Sequence, residues 1–83
     1  MNDDQYQPIS CSAYDIYEIA IMRHQQLDLQ WWDGGIRQQA IIQPVGLEVR
    51  DGAEYLVICQ PPACVDRVEI RLDRIISSRI AGP

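Results

Sequence analysis

Three kinds of side chain in this 83-residue chain are suited to chemistry or to strong polar recognition. They are three cysteines (Cys11, Cys59 and Cys64), one histidine (His24), and twelve carboxylates set against seven arginines, with no lysine at all. A catalytic reading needs a nucleophile, a base and a charge-stabilising group within reach of one another, and the sequence assembles no such set. His24 falls on the face of a helical pattern that should be buried, where a hydrogen-bonded core histidine is the ordinary finding. Cys11 stands near a helix start but among acids, a poor setting for a nucleophilic thiolate. Three thiols cannot all pair within one chain; Cys59 and Cys64 flank "QPPA" and could meet across a loop, but buried or half-buried free thiols are the reading the sequence favours. With no Cys-x2-Cys pair and a single histidine, a zinc site lacks ligands. Glycine-rich phosphate loops and dinucleotide fingerprints are also missing. The expectation is a non-enzymatic protein without catalytic residues, metal or cofactor, which acts by contact.

The carboxylates are unevenly spread. Residues 1–33 hold six acids (Asp3, Asp4, Asp15, Glu18, Asp28, Asp33) and one base, Arg23, so they carry the whole net charge of -5; residues 34–83 hold six of each. An acidic surface repels phosphate and attracts basic protein surfaces, so direct nucleic-acid binding by that region is disfavoured. The plainer alternative is that the acids only keep a small domain soluble. Arg67 and Arg71 point outward from a predicted strand, but Asp66, Glu69 and Asp73 offset them, so no basic stripe results.

The elements that must position these groups follow from periodicity. At 83 residues the chain is one small domain, hiding only about 60% of its unfolded surface, which leaves little room for an internal active site. Residues 1–11 are expected to be an extended lead that frays at its start, and 80–83 a frayed tail. From Ser12, read as the N-cap with Asp15 as its capping-box partner and Cys11 and Ile16 as an apolar staple, the pattern turns helical as far as about Arg23 or Gln25. Tyr17, Ala20, Ile21 and His24 share the inward stripe; Asp15, Glu18 and Met22 lie opposite with Ile19 beside them, and Tyr14 at the border. Carboxylates interleaved with exposed Ile and Met suit a protein contact better than a solvated face.

Beyond the helix, "LDLQWW" alternates with Leu27, Leu29 and Trp31 inward and Trp32 outward. "DGG" at 33–35 and "DG" at 51–52 supply the positive φ of tight hairpins. Residues 36–50 are long for one strand, and Pro44 and Gly46 make them one strongly bent strand or two short ones. "EYLVICQ" and "VDRVEIRL", the latter with Val68, Ile70 and Leu72 inward, form the next hairpin, and a turn at Asp73 leads to a last strand. The fold class is α+β, mainly β: an N-terminal helix and a small five-stranded antiparallel barrel, with an OB-like barrel as the alternative. No apolar run is long enough for a membrane span, and the acidic N-terminus is unlike a signal peptide, so the expected setting is cytoplasmic.

"YQPI" at 6–9, Cys11, "YD" at 14–15, Glu18, Ala20 and His24, followed by "DG" at 33–34, "EYL" at 54–56 and "RLD" at 71–73, recur in one order and spacing. In these residues the chain resembles the Rho-binding antiterminator family (Rof/YaeO-like) over most of its length. The resemblance implies an Sm-like fold, a chain that is monomeric when free, and binding to the N-terminal RNA-binding region of the transcription termination factor Rho, which blocks RNA loading. It also implies a partner-binding set of Tyr14, Asp15 and Glu18 on the helix, Gln7 and Pro8 in the lead and Arg50 in a nearby loop, to which the exposed Ile19 and Met22 are added as apolar anchors. Trp31, Trp32, "QPPAC" and the lack of a basic residue at Asp51-Gly52 depart from the family pattern. A small Sm-like RNA-binding module, or an adaptor for another basic protein, is the alternative.

Overall fold

The computed structural model describes residues 5–81. Helix α1 (Cys11–Met22) leads into β1 (Leu27–Asp33), β2 (Ile36–Arg50), β3 (Ala53–Cys59) and β4 (Arg67–Arg71). A 3-10 turn (Leu72–Arg74) then passes the chain to β5 (Ile75–Ile80). The strands form one antiparallel sheet in the order β4-β3-β2-β1-β5. One helix followed by five antiparallel strands is the order expected; the sheet curls like a barrel but ends at two edges, β4 and β5, without closing.

The curl comes from β2, a single bent strand. Its first half pairs with β1, from Asp33↔Ile36 to Leu27↔Ile42, and its second half with β3, with a register shift between Pro44 and Gly46. Proline has no N–H to give the ladder and glycine tolerates the bulge, so the strand changes partner there. Both hairpins turn in two residues with φ above zero, Gly34-Gly35 (59° and 86°) and Asp51-Gly52 (54° and 79°). That is the primed turn whose twist matches the flanking strands.

Leu27, Leu29, Ile42 and Leu56 are fully buried, joined by Ile58, Ile70 and Leu72 from the sheet side and by Tyr17 and Ala20 from α1. Each such leucine contributes about 1.5–3 kcal/mol by leaving water. The Tyr17 hydroxyl is not stranded in this core, because Ser78 of β5 donates to it at 3.4 Å.

Six local expectations are corrected. The helix is capped by Ser10, not Ser12: the Ser10 hydroxyl accepts from the Ala13 N–H at 3.2 Å. Cys11 and Ile16 are both exposed, and Ile9 and Tyr14 occupy the staple positions and pack on the core. His24 is exposed and lies beyond the helix at φ 54°. There its N–H bonds Ile21 O (3.3 Å) while the Gln25 N–H bonds Ala20 O (2.9 Å), the pair of reversed bonds that ends a helix through a left-handed residue. Val68 is 52% exposed, lining the concavities beside Trp31 where the sheet does not close, although Ile70 and Leu72 are buried as expected. Cys59 and Cys64 form a disulfide, leaving Cys11 free. At the far end Ile80 pairs with Leu27, and the Ala81 N–H bonds Gln26 O at 2.9 Å, so fraying does not begin at 80. The expected fraying of 1–4 and 82–83 lies outside the described residues.

Candidate functional site

Cys11, Asp15, Glu18 and Met22 fall at i, i+4, i+7 and i+11, one line along the outside of α1, with Ile19 on one side of it and Tyr14 on the other. Burial follows that geometry: Tyr17 and Ala20 are inside, Tyr14 and Ile21 are at the border, and Met22 (75% exposed) and Ile19 (42%) face out. Because Ser10 is the cap, Asp15 sits in the second turn and has no capping role; no acid lies in the first turn. Among the described residues no cation pairs with Asp15 or Glu18. Both charges therefore project undiminished, whereas Asp28 is met by Arg79 at 3.6 Å and by the Gln39 amide at 3.2 Å.

The lead segment folds back beside the helix start. Its Gln7 N–H donates to Asp73 Oδ2 at 2.9 Å, and the same carboxylate receives Arg71 through Nε (2.9 Å) and Nη2 (2.7 Å). Burial alone would push the Asp73 carboxyl up, but the Arg71 guanidinium and the Gln7 N–H outweigh it and hold it below the usual carboxylate range. The Tyr6 hydroxyl donates to Glu54 Oε1 at 3.3 Å, and burial together with that carboxylate pushes the Tyr6 phenol up to about 12. The Tyr14 phenol is also raised, by burial first and then by Glu54 and Glu18. A groove of about 280 Å³ opens between Ile9, Ser10, Cys11, Tyr14, Asp15 and Glu54. Pro8 is exposed beside it.

Arg50 does not join this group. At the end of β2 it pairs with Glu69 and Glu48 (3.7 Å) and lies over the Tyr55 ring at 4.5 Å. Tyr55 and Glu54 are neighbours along β3 and so face opposite sides of it. The structure thus gathers Gln7, Pro8, Tyr14, Asp15, Glu18, Ile19 and Met22 around α1 and places Arg50 across the sheet.

No family model matches the chain. Over 75 residues, 90% of this chain and 82% of the relative, it is 37% identical to Protein rof of Escherichia coli (strain K12), with the same figures for Protein rof of Shigella flexneri. The chain belongs to the Rof family. Among solved structures, the proteasome accessory factor B/C (PafBC) of Arthrobacter aurescens superposes with a TM-score of 0.74 over 93% of this chain at 20% identity. The chain spans only 13% of that protein's length, so the likeness is one of fold.

Glu54, which lines the groove, and Tyr6, which donates to it, belong to this candidate site and were not singled out from the sequence. Both stand inside the motifs that carry the Rof resemblance, "YQPI" and "EYL", and that shared membership was the available signal. A second concavity of about 280 Å³ lies where the sheet is open, lined by Trp31, Trp32, Tyr55, Val68, Arg71 and Arg74 together with Asp33 and Glu69. Trp32 is 44% exposed and is covered on one side by Arg37 at 5.6 Å, its cross-strand neighbour.

Proposed function

We propose that this protein is a cytoplasmic, non-enzymatic inhibitor of Rho-dependent transcription termination that docks the outer face of α1 on the RNA-binding region of Rho and keeps RNA out. The observation that carries the reading is the pair of uncompensated carboxylates, Asp15 and Glu18, flanked by the Tyr14 ring and by exposed Ile19 and Met22, in a chain of the Rof family. A surface made to hold RNA presents cations and stacking faces. Carboxylates with an aromatic neighbour fit such a surface in place of phosphates and a base. Rim ion pairs supply only ~0.2–1 kcal/mol each, so the desolvated anchors Tyr14, Ile19 and Met22 must carry much of the affinity.

The test is displacement of labelled RNA from Rho, followed by fluorescence anisotropy. The protein should release the RNA, less readily as salt is raised. In the variant Asp15→Arg/Glu18→Arg two attractions become repulsions of like size, a loss of about 1–4 kcal/mol or roughly 5- to 1000-fold in affinity. Its circular dichroism should not change, because both residues are exposed. No displacement by the wild-type protein at any concentration would defeat the competitive mechanism.

The second reading, RNA binding by the barrel itself, has the aromatic and arginine-lined concavity at the open edge in its favour. Asp33 and Glu69 in the same lining offset Arg71 and Arg74, which is why it ranks second. Salt-dependent binding of the protein alone to single-stranded RNA, lost in Trp32→Ala, would promote it.

A further inference from the structure

The disulfide joins the last residue of β3 to the loop that precedes β4. Cys59 is 2% exposed and Cys64 is half-buried, their Cα atoms are 4.8 Å apart, and four residues separate them. A bridge closing so short a loop removes little freedom from the unfolded chain, so it adds less stability than a long-range staple would. What it does fasten is local. The Cys64 N–H is held on Gln60 O at 2.9 Å, and the chain then runs through Val65 and Asp66 along an apolar cavity of about 200 Å³ completed by Trp31, Ile58 and Val68. Meanwhile Cys11 is an exposed free thiol, which in an oxidising compartment would be open to mixed pairing. A chain with an exposed thiol fits a reducing compartment, and disulfides that form in such compartments are as a rule transient and redox-sensing.

We propose that Cys59 and Cys64 form a reversible thiol–disulfide site, with cellular thiols as its reductant, that locks the β3–β4 loop over the Trp31 cavity when oxidised and releases it when reduced. Exposure sets the order of events. An incoming thiolate reaches the Cys64 sulfur, forms a mixed disulfide with it and expels Cys59 as a thiolate, which takes up a proton. A second thiol then attacks the mixed disulfide, so two thiols are oxidised to one external disulfide and the protein disulfide is reduced to two thiols.

The experiment uses the full chain. Dithiothreitol is applied and removed under native conditions, oxidised glutathione is then added, and thiols are counted at each stage by alkylation in denaturant. The expected count is one (Cys11), then three, then one again. Amide exchange at Cys64, whose N–H is held on Gln60 O, should quicken at least tenfold on reduction, while Leu29 and Ile42 keep their protection. Cys59→Ser/Cys64→Ser should reproduce the reduced pattern and ignore the reagents; if it fails to fold, the reduced wild-type chain supplies the same comparison. Reduction that occurs only in denaturant would overturn the proposal. So would loop exchange that is equal in both states, or a loss of protection throughout the sheet, which would make the bond a structural staple.

Discussion

Asp73→Ala should be among the most damaging single changes near the surface of this fold. Asp73 bridges parts of the chain 66 residues apart: one oxygen accepts from the Gln7 N–H at 2.9 Å and from Arg71 Nη2 at 2.7 Å, the other from Arg71 Nε at 2.9 Å. The Asp73 side chain is only 9% exposed and that of Arg71 15%, so water screens these bonds weakly. Hydrogen bonds to charged groups contribute roughly 1.5–3 kcal/mol apiece but are not additive within one cluster, which puts the loss at about 2–4 kcal/mol. At roughly 0.05–0.15 kcal/mol per residue the domain has about 4–12 kcal/mol in all, and 2–4 kcal/mol corresponds to a fall of some 10–30 °C in melting temperature.

The same site fixes a pH signature. The folded Asp73 carboxyl lies below its ordinary value, so its contribution is complete above the unfolded pKa of about 3.9 and is lost as the pH falls through the folded value. Thermal melts followed by circular dichroism should show a wide gap between wild type and Asp73→Ala at pH 7, narrowing below about pH 4. Asp73→Asn should fall between the two, since its carbonyl can still accept from Gln7 but the charge opposite Arg71 is gone. Equal melting temperatures at pH 7, or a gap that stays constant into acid, would refute the assignment.

Ser10→Ala should cost about 0.5–2 kcal/mol in urea unfolding, whereas Ser12→Ala should cost next to nothing, because only Ser10 caps the helix. Leu56→Ala, at a fully buried central position of β3, should cost about 2–5 kcal/mol in the same assay. Ultraviolet titration of phenolate should find Tyr6 ionising near 12; Glu54→Gln should bring it down only part of the way, since burial is the larger cause. Because the folded state holds that proton longer than the unfolded one, stability should decline as the pH rises from about 10 towards 12.

The sheet was legible where one local rule acted alone. Alternation in "LDLQWW" put Leu27 and Leu29 inside, two glycine-bearing turns fixed both hairpins, and Pro44 with Gly46 marked the bend of β2. The misreadings arose where two local solutions compete or where the deciding neighbour is remote. Ser10 and Ser12 are both good caps, and Ser10 wins because it places Ile9 and Tyr14 on the core. His24 fits the inward stripe by periodicity, but the helix stops a residue short of it, a choice made by the backbone bonds at Ile21 and Ala20. Val68 alternates correctly onto the face of Ile70 and is still half exposed, because the sheet ends at β4 without closing over it. The outward acidic face of the helix was readable from spacing. The convergence of Tyr6 and Tyr14 on Glu54 was not, because it depends on the lead folding back across β3.

The ion pairs are unevenly distributed between the sheet and α1. Several acids of the sheet and of the turn after β4 are met by arginines: Arg79 meets Asp28, Arg50 meets Glu48 and Glu69, and Arg71 meets Asp73. Among the described residues the acids of α1 have no such partners, and the helix is held by Tyr17 and Ala20 in the core and by the Ser10 cap. Salt at a few tenths molar screens exposed charges at distances beyond several ångströms and leaves buried contacts almost untouched. The same rise in salt should therefore weaken a complex made through Asp15 and Glu18 while leaving the melting temperature nearly constant. A melting temperature that fell in step with binding would mean that the helix acids also support the fold, and the separation between arginine-paired acids and the unpaired acids of α1 would not hold.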